Sequence, residues 1–290
     1  MSALPDLPRP AQTREHLQRV RRYYRSWESR LVYRFLGGTK HYGLFRPGDR
    51  PWQVHPAMRR MEDLLAQRLQ LVAGAHVLDA GCGVGDVAAR LAEVHGLSVT
   101  GIDIQDDAID EARRRGTQRQ LADRLRFEQM DYTDLAFPDS TFEGAYTMET
   151  LVHSDDVERV LAGLFRVLRP GGRLVHFEYS RSPKQQTAPS DERFLTEVNQ
   201  VAALPAFQRF EHGVLVQLLE QAGFVDVTSQ DVTESMLPML QVFAVAGALP
   251  YLLGSVLGRD DLVVNSKAGV EFYLHRDCWR YNVITCRKPS

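Results

Sequence analysis

VLDAGCGVGD, residues 77–86, decides the fold. Val77 and Leu78 belong to a short apolar run that ends on Asp79, and glycines follow at 81, 83 and 85. The run reads as a buried strand, and the glycines as a tight turn on whose main chain a ligand can lie directly. Helical spacing resumes at once with Val84, Val87, Ala88 and Leu91. Outward from this unit the pattern repeats: strand 97–104, helix 106–116, strand 125–128, strand 145–148, helix 155–168, and a turn at RPGG into a strand reaching Ser180. Strands and helices alternating at this interval predict βαβ units, hence a parallel sheet with helices on both faces. An amphipathic helix at 57–72 precedes them; a helix at 213–222 and strands at 224–229 and 281–286 follow.

The chain has 290 residues, 44% hydrophobic and 25% charged, which excludes a disordered, collagenous or polytopic membrane protein. Its net charge of −2 hides an asymmetry, because residues 1–60 hold 13 Lys+Arg against 4 Asp+Glu while the rest holds 22 against 33. In the basic front end, three prolines make residues 1–12 a loose arm. Leu17, Val20, Tyr24, Trp27 and Leu31, spaced 3, 4, 3, 4, then predict one amphipathic helix. Seven arginines between 14 and 34 read first as a solvated face and second as a diphosphate holder. Nucleic acid is not an expected partner, since the acidic remainder repels phosphate. Cys82, Cys278 and Cys286 form neither a disulfide framework nor a zinc site, and with no secretory signal they predict a cytoplasmic protein. Residues 235–258 carry no charge and are long enough to cross a bilayer. A span is nonetheless not expected, because strand 281–286 should pair in the same sheet as 77–176 and Pro238 and Pro250 should break the helix. The run instead reads as the wall of a lipophilic site or an oligomer contact, as does the N-terminal helix.

Asp103 lies 22 residues after Gly81, where a doubly wound sheet points a carboxylate at a ribose. A dinucleotide fingerprint needs a third glycine at 86, but Asp86 stands there and should repel a pyrophosphate. S-adenosylmethionine has no phosphate, and Asp79 can face its amino-acid end. Asp131, with Tyr132 beside it, can accept from an adenine amino group, and Met148 and Glu149 close the fourth strand at the edge where ligands bind.

Over residues 60–180 these features resemble the class I S-adenosylmethionine-dependent methyltransferases. The resemblance implies an α/β fold: a doubly wound, seven-stranded, mostly parallel sheet with an N-terminal helical lid and a helical insertion before the last strand. It also implies S-adenosylmethionine as cofactor, held by Asp79, Gly81, Gly83, Asp103, Ile104, Asp131, Tyr132 and Met148, and no metal. Residues 1–56 then form the lid, and 57–290 the methyltransferase domain with an acceptor-lining insertion around 183–275.

Within that class, YRFLGGTKHYGLF (33–45), YTMETLVHSDD (146–156) and the terminal RKP (287–289) are similar to the sterol and terpene C-methyltransferases. The implied reaction is methyl transfer to an alkene carbon of an isoprenoid, terpenoid or sterol-like molecule in secondary metabolism, with cyclisation open to the cation so formed. Such a cation needs π faces and then a base. Tyr24, Trp27, Tyr33, Tyr42 and Phe45 offer the faces; Glu149 and His153, one helical turn apart, are the expected catalytic pair. Tyr24, Tyr33, His41, Glu178 and His212 are expected at the acceptor, and His176 in the core. The alternative is an O- or N-methyltransferase of a small aromatic or polar metabolite, with His153 as base.

Overall fold

The structure of the chain, a computed structural model, describes residues 11–259 and 262–290; most of the expected loose arm, residues 1–10, lies outside them. Seven strands form one sheet in the order β3-β2-β1-β4-β5-β7-β6. They are β1 (His76–Ala80), β2 (Ser98–Asp103), β3 (Leu125–Gln129), β4 (Phe142–Met148), β5 (Leu168–Arg181), β6 (Val225–Asp231) and β7 (Trp279–Arg287). The first five pair in parallel, and β7 runs antiparallel between β5 and β6. The expected class, α/β and doubly wound with mostly parallel strands, is the observed one.

Four helices cover the parallel part: α3 (Val54–Leu69), α4 (Asp86–His95), α5 (Asp106–Gln118) and α6 (Val157–Val167). Each buries a stripe at helical spacing, such as Val157, Val160, Leu161 and Leu164 of α6. At the tight turn into α4, Gly85 takes φ +79°, and a Cβ there would stand 2.6 Å from the Phe127 ring. Glycine is thus required twice over, by conformation and by the approach of β3.

The front end is two helices, α1 (Ala11–Arg25) and α2 (Trp27–Phe35), not one. Ser26 breaks them: its hydroxyl accepts from Ser29 N at 3.1 Å and starts a new helix. The seam read from the sequence is therefore interrupted. Val20 is buried, but Trp27 and Leu31 are more than half exposed. Arg21 donates to the Ile104 carbonyl and Arg25 pairs with Asp106, which fastens α1 over the carboxyl ends of the strands.

Between β5 and β7 come α7 (Pro189–Ala202), α8 (Val214–Gln221), β6, α9 (Thr233–Val256) and α10 (Val264–Leu274). The expectation that Pro238 and Pro250 break the apolar run fails, for α9 is continuous through both. Each proline removes one backbone hydrogen bond, while Leu, Met and Ala on either side favour the helix. Packing against α10 adds to this: Gly247 lets the Ser266 backbone approach to within 3.0 Å of its Cβ position. By length and composition α9 is sufficient to cross a membrane. A crossing would separate β6 from β7, which are hydrogen-bonded, and α10 at 1.5 Å per residue reaches only about 16 Å back.

Gly85→Ala is expected to lower stability by about 1–3 kcal/mol, seen as a lower urea midpoint at unchanged slope. Gly74→Ala serves as control, because Gly74 shares the positive φ but has nothing within 4 Å of its Cβ position. Equal losses in the two variants would refute the role of the Phe127 contact.

Candidate active site

The parallel strands end on a common edge, and the residues at those ends enclose a cavity of about 730 Å³. Asp79, Gly81, Gly83, Asp103, Ile104, Asp131, Tyr132 and Met148 all line it. Asp103 Oδ2 accepts from Gly83 N at 3.0 Å, so the β2 carboxylate and the glycine turn brace each other. Asp131 accepts from the Thr133 main chain and hydroxyl, and the Tyr132 hydroxyl donates to the Thr150 carbonyl. Asp79 is 3% exposed; burial, with Asp103 adding to it, pushes its carboxyl up to about 7. Among the described residues its Oδ2 has no partner at full hydrogen-bond geometry, and the nearby Tyr146 hydroxyl offsets only part of the burial. A buried oxygen left so at the cavity wall fits the ammonium of the cofactor's amino-acid end. A Cβ on Gly81 would come within 2.6 Å of the Thr150 side chain, so the main chain is kept bare beside the cavity. These residues fit S-adenosylmethionine.

Asp86 does not stand as a lone negative charge at the start of α4, as the sequence reading assumed. It is buried and paired with Arg115 and Arg119. Its charge is neutralised locally, so it would not by itself repel a pyrophosphate.

A second, more apolar cavity of about 500 Å³ opens behind the first. Tyr23, Trp27, Leu31 and Phe35 of α1 and α2 wall one side, and Met239, Val242 and Phe243 of α9 with Phe272 of α10 the other. Five residues line both cavities: Tyr24, Lys40, His41, Glu149 and His153. The predicted catalytic pair thus reaches the junction, although not by a helical turn. Glu149 directly follows β4 at φ +58°, and a 3₁₀ turn, Leu151–His153, comes next.

Glu149 takes three hydrogen bonds. Its Oε1 accepts from Tyr42 N and the Tyr281 hydroxyl, both at 2.7 Å, and its Oε2 from the Tyr179 hydroxyl at 2.5 Å. Burial raises its pKa, and these donors offset only part of that rise. His153 Nδ1 donates to the Ala203 carbonyl at 2.8 Å, which fixes the tautomer, so Nε2 accepts from the Tyr24 hydroxyl at 2.8 Å. Burial lowers its pKa to about 4, so the ring is neutral near pH 7.

Three acceptor assignments change. Glu178 lines neither cavity: it is fully buried, and its Oε1 accepts from Thr150 N and Leu151 N, bracing the segment that carries Glu149 and His153. Burial pushes this carboxyl up to about 8. His212 also lies off the cavities, its Nδ1 bonded to the Ser180 hydroxyl at the far end of β5. His41 does line them, but it donates from Nδ1 to the Tyr42 carbonyl and from Nε2 to Glu62, so it holds the loop. Burial opposes the imidazolium and Glu62 outweighs that, raising its pKa. Tyr33 lies within α2, its side chain outside the described residues. His176 is a core histidine as expected, bonded to the Thr147 hydroxyl.

Sequence reasoning missed Lys40, Glu28 and Glu62. Glu62 had a signal, being the one acid in the apolar stripe Met58, Met61, Leu65 of α3. Lys40 had a weaker one: the chain has only four lysines among its 35 basic residues.

A family model described as a methyltransferase domain matches residues 77–172. An S-adenosyl-L-methionine-dependent Diels-Alderase of Talaromyces variabilis is 40% identical over 93% of this chain and 94% of its own. An O-methyltransferase of Penicillium expansum is 32% identical over 80% of each. A sterol 24-C-methyltransferase of Neurospora crassa is 28% identical over 84% of this chain and 63% of its own. The relatives share a scaffold and carry names for three different reactions.

Glu178 yields a pH test. Its folded pKa of about 8 lies above the ordinary 4.5, so its contribution to stability is full below about 4.5 and is lost as pH rises through about 8. Glu178→Gln keeps an oxygen for both main-chain donors and removes the titration. Urea unfolding should show wild-type stability falling over that window relative to the variant; parallel curves would refute this.

Proposed function

The chain belongs to the class I S-adenosylmethionine-dependent methyltransferases, and on that premise we propose that it cyclises an extended, lipophilic, unsaturated substrate in a [4+2] manner beside the bound cofactor. The observation that carries this reading is that both candidate bases at the junction are already engaged. Glu149 takes three donors, and His153 has both nitrogens in hydrogen bonds. Methylation of an alkene carbon and methylation of a hydroxyl each release a proton that a base must accept. An intramolecular cycloaddition moves none. It needs a cavity that holds a flexible chain in its reactive fold, so that ordering entropy is spent before the bonds form. The apolar cavity behind the cofactor site has that character. The 40% identity to a Diels-Alderase supports the same reading.

S-adenosylmethionine supplies, when bound, a methyl group on a positively charged sulfur. Asp79 would take its ammonium, Asp103 its ribose, and Asp131 with Tyr132 its adenine; Gly81, Gly83, Ile104 and Met148 would form the bed. In this reading the described part of the front end, residues 11–56, is the lid, and the insertion around 183–275 supplies α9 and α10 as the far wall. Reduced thiols at Cys82, Cys278 and Cys286 suit the cytoplasm.

A second reading, methyl transfer to an alkene carbon of an isoprenoid or sterol-like acceptor, is favoured by a different feature. The rings of Tyr42, Tyr179 and Tyr281 cluster around the buried Glu149, with Phe243 beside Tyr42. Such π faces with an anion can steady a carbocation.

Mass balance separates the two. With S-adenosylmethionine and a linear polyene ketone, the purified protein should give a product isomeric with its substrate and no S-adenosylhomocysteine. A product heavier by one methyl, with S-adenosylhomocysteine formed mole for mole, would overturn cyclisation in favour of methyl transfer.

A further inference from the structure

We propose that Lys40 is a catalytic residue that donates a hydrogen bond to a carbonyl or enolate oxygen of the substrate, which makes the substrate a polyene conjugated to a carbonyl group. The inference rests on the cyclisation reading and names the substrate class for it.

Among the described residues lining the apolar cavity, Lys40 is the one Lys or Arg, and it also faces the cofactor cavity. Its Nζ donates to the Ser29 hydroxyl at 3.0 Å and the Asn265 side-chain oxygen at 3.2 Å. It stands 4.8 Å from the Tyr23 ring centre and 5.2 Å from that of Tyr24. These acceptors and π faces hold the ammonium at the wall between the two cavities. The nearby carboxylates are committed elsewhere. Glu28 accepts from Asn265 N, Ser266 N and the Ser266 hydroxyl at the start of α10, and Glu149 holds its three donors. Three tyrosine hydroxyls of the cavity wall have protein acceptors of their own: Tyr23 donates to Asn265, Tyr24 to His153 and Tyr179 to Glu149.

A [4+2] closure forms two carbon–carbon σ bonds, turns three π bonds into one, and moves neither proton nor electron to the protein. Lys40 therefore keeps its protons throughout. Its donation withdraws electron density from the carbonyl and hence from the alkene conjugated to it, and charge that grows on that oxygen is stabilised most strongly in a water-poor site.

The groups facing Lys40 are Tyr23 and Tyr24 of α1, Glu28 of α2, Glu149 after β4, and His153, which is neutral near pH 7. Burial lowers the Lys40 pKa to about 7 against the pull of Glu28 and Glu149. The strong donor, the ammonium, is present below that value and is lost above it. With S-adenosylmethionine saturating at every pH, so that titration of Asp79 does not limit cofactor binding, turnover should be flat in acid and fall as pH rises through about 7; a lysine acting as base would give the opposite limb.

The test uses the protein with S-adenosylmethionine and a linear trienone, in which an enone is tethered to a terminal diene. Lys40→Met should lower kcat about 100-fold with KM changed little, while S-adenosylhomocysteine binding and thermal midpoint stay near wild type. Lys40→Arg, charged at every accessible pH, should keep part of the activity and lose the alkaline limb. If the wild type cyclises the trienone and Lys40→Met does so equally fast, or if wild-type activity rises through pH 7, the role of Lys40 is overturned and the cyclisation reading stands. If the wild type leaves the trienone at its uncatalysed rate, the cyclisation reading fails and takes this inference with it.

Discussion

A carboxylate taken out of water must have its lone pairs filled or it loses its charge. At Glu149 that demand is met from three separated parts of the chain: the main chain of Tyr42 in the front end, Tyr179 on β5 and Tyr281 on β7. The closed site depends on this one arrangement. The Tyr42 donor draws the N-terminal loop over the strand ends, and the two hydroxyls join the antiparallel hairpin to the last parallel strand. The left-handed conformation of Glu149 itself, uncommon for a residue with a side chain, persists because these partners hold it.

Other buried acids brace the site as well. Glu178 fixes the turn between Glu149 and His153. Glu62 holds His41, and through it the loop that contributes Tyr42. Glu28 caps α10 and so docks α2 against the insertion. Buried acids with main-chain or imidazole donors are thus the posts on which the lid stands. The exposed pairs between front end and body, such as Arg25 with Asp106, add little individually because water and salt screen them. They do account for the division of charge along the chain: part of the basic front end lies against acids of the body.

The sheet and the cofactor cavity were legible in the sequence because both follow from local rules. A buried parallel strand reads as a short apolar run, glycine marks where the backbone must turn, and parallel connection brings the strand ends to one edge. Residues 79, 81, 83, 103, 131, 132 and 148 converge for that reason alone. The helix break at Ser26 and the unbroken α9 were less legible, since a capping hydroxyl and a packing partner each outweighed the periodicity or propensity on which the reading relied.

Which residues stand at the carboxyl edge of the sheet, and that the front end is basic and aromatic, follow from the order of residue types along the chain. What those residues can do follows from their neighbours in space. Glu149 and His153 read as bases from residue type and spacing, yet their lone pairs are filled by Tyr42, Tyr179, Tyr281 and Tyr24, the nearest of them 30 residues away along the chain. Glu178 and Lys40 exchanged importance for the same cause. Spacing fixes where a side chain starts, but its charge, its partners and its access to a cavity are set by neighbours that folding brings from elsewhere in the chain.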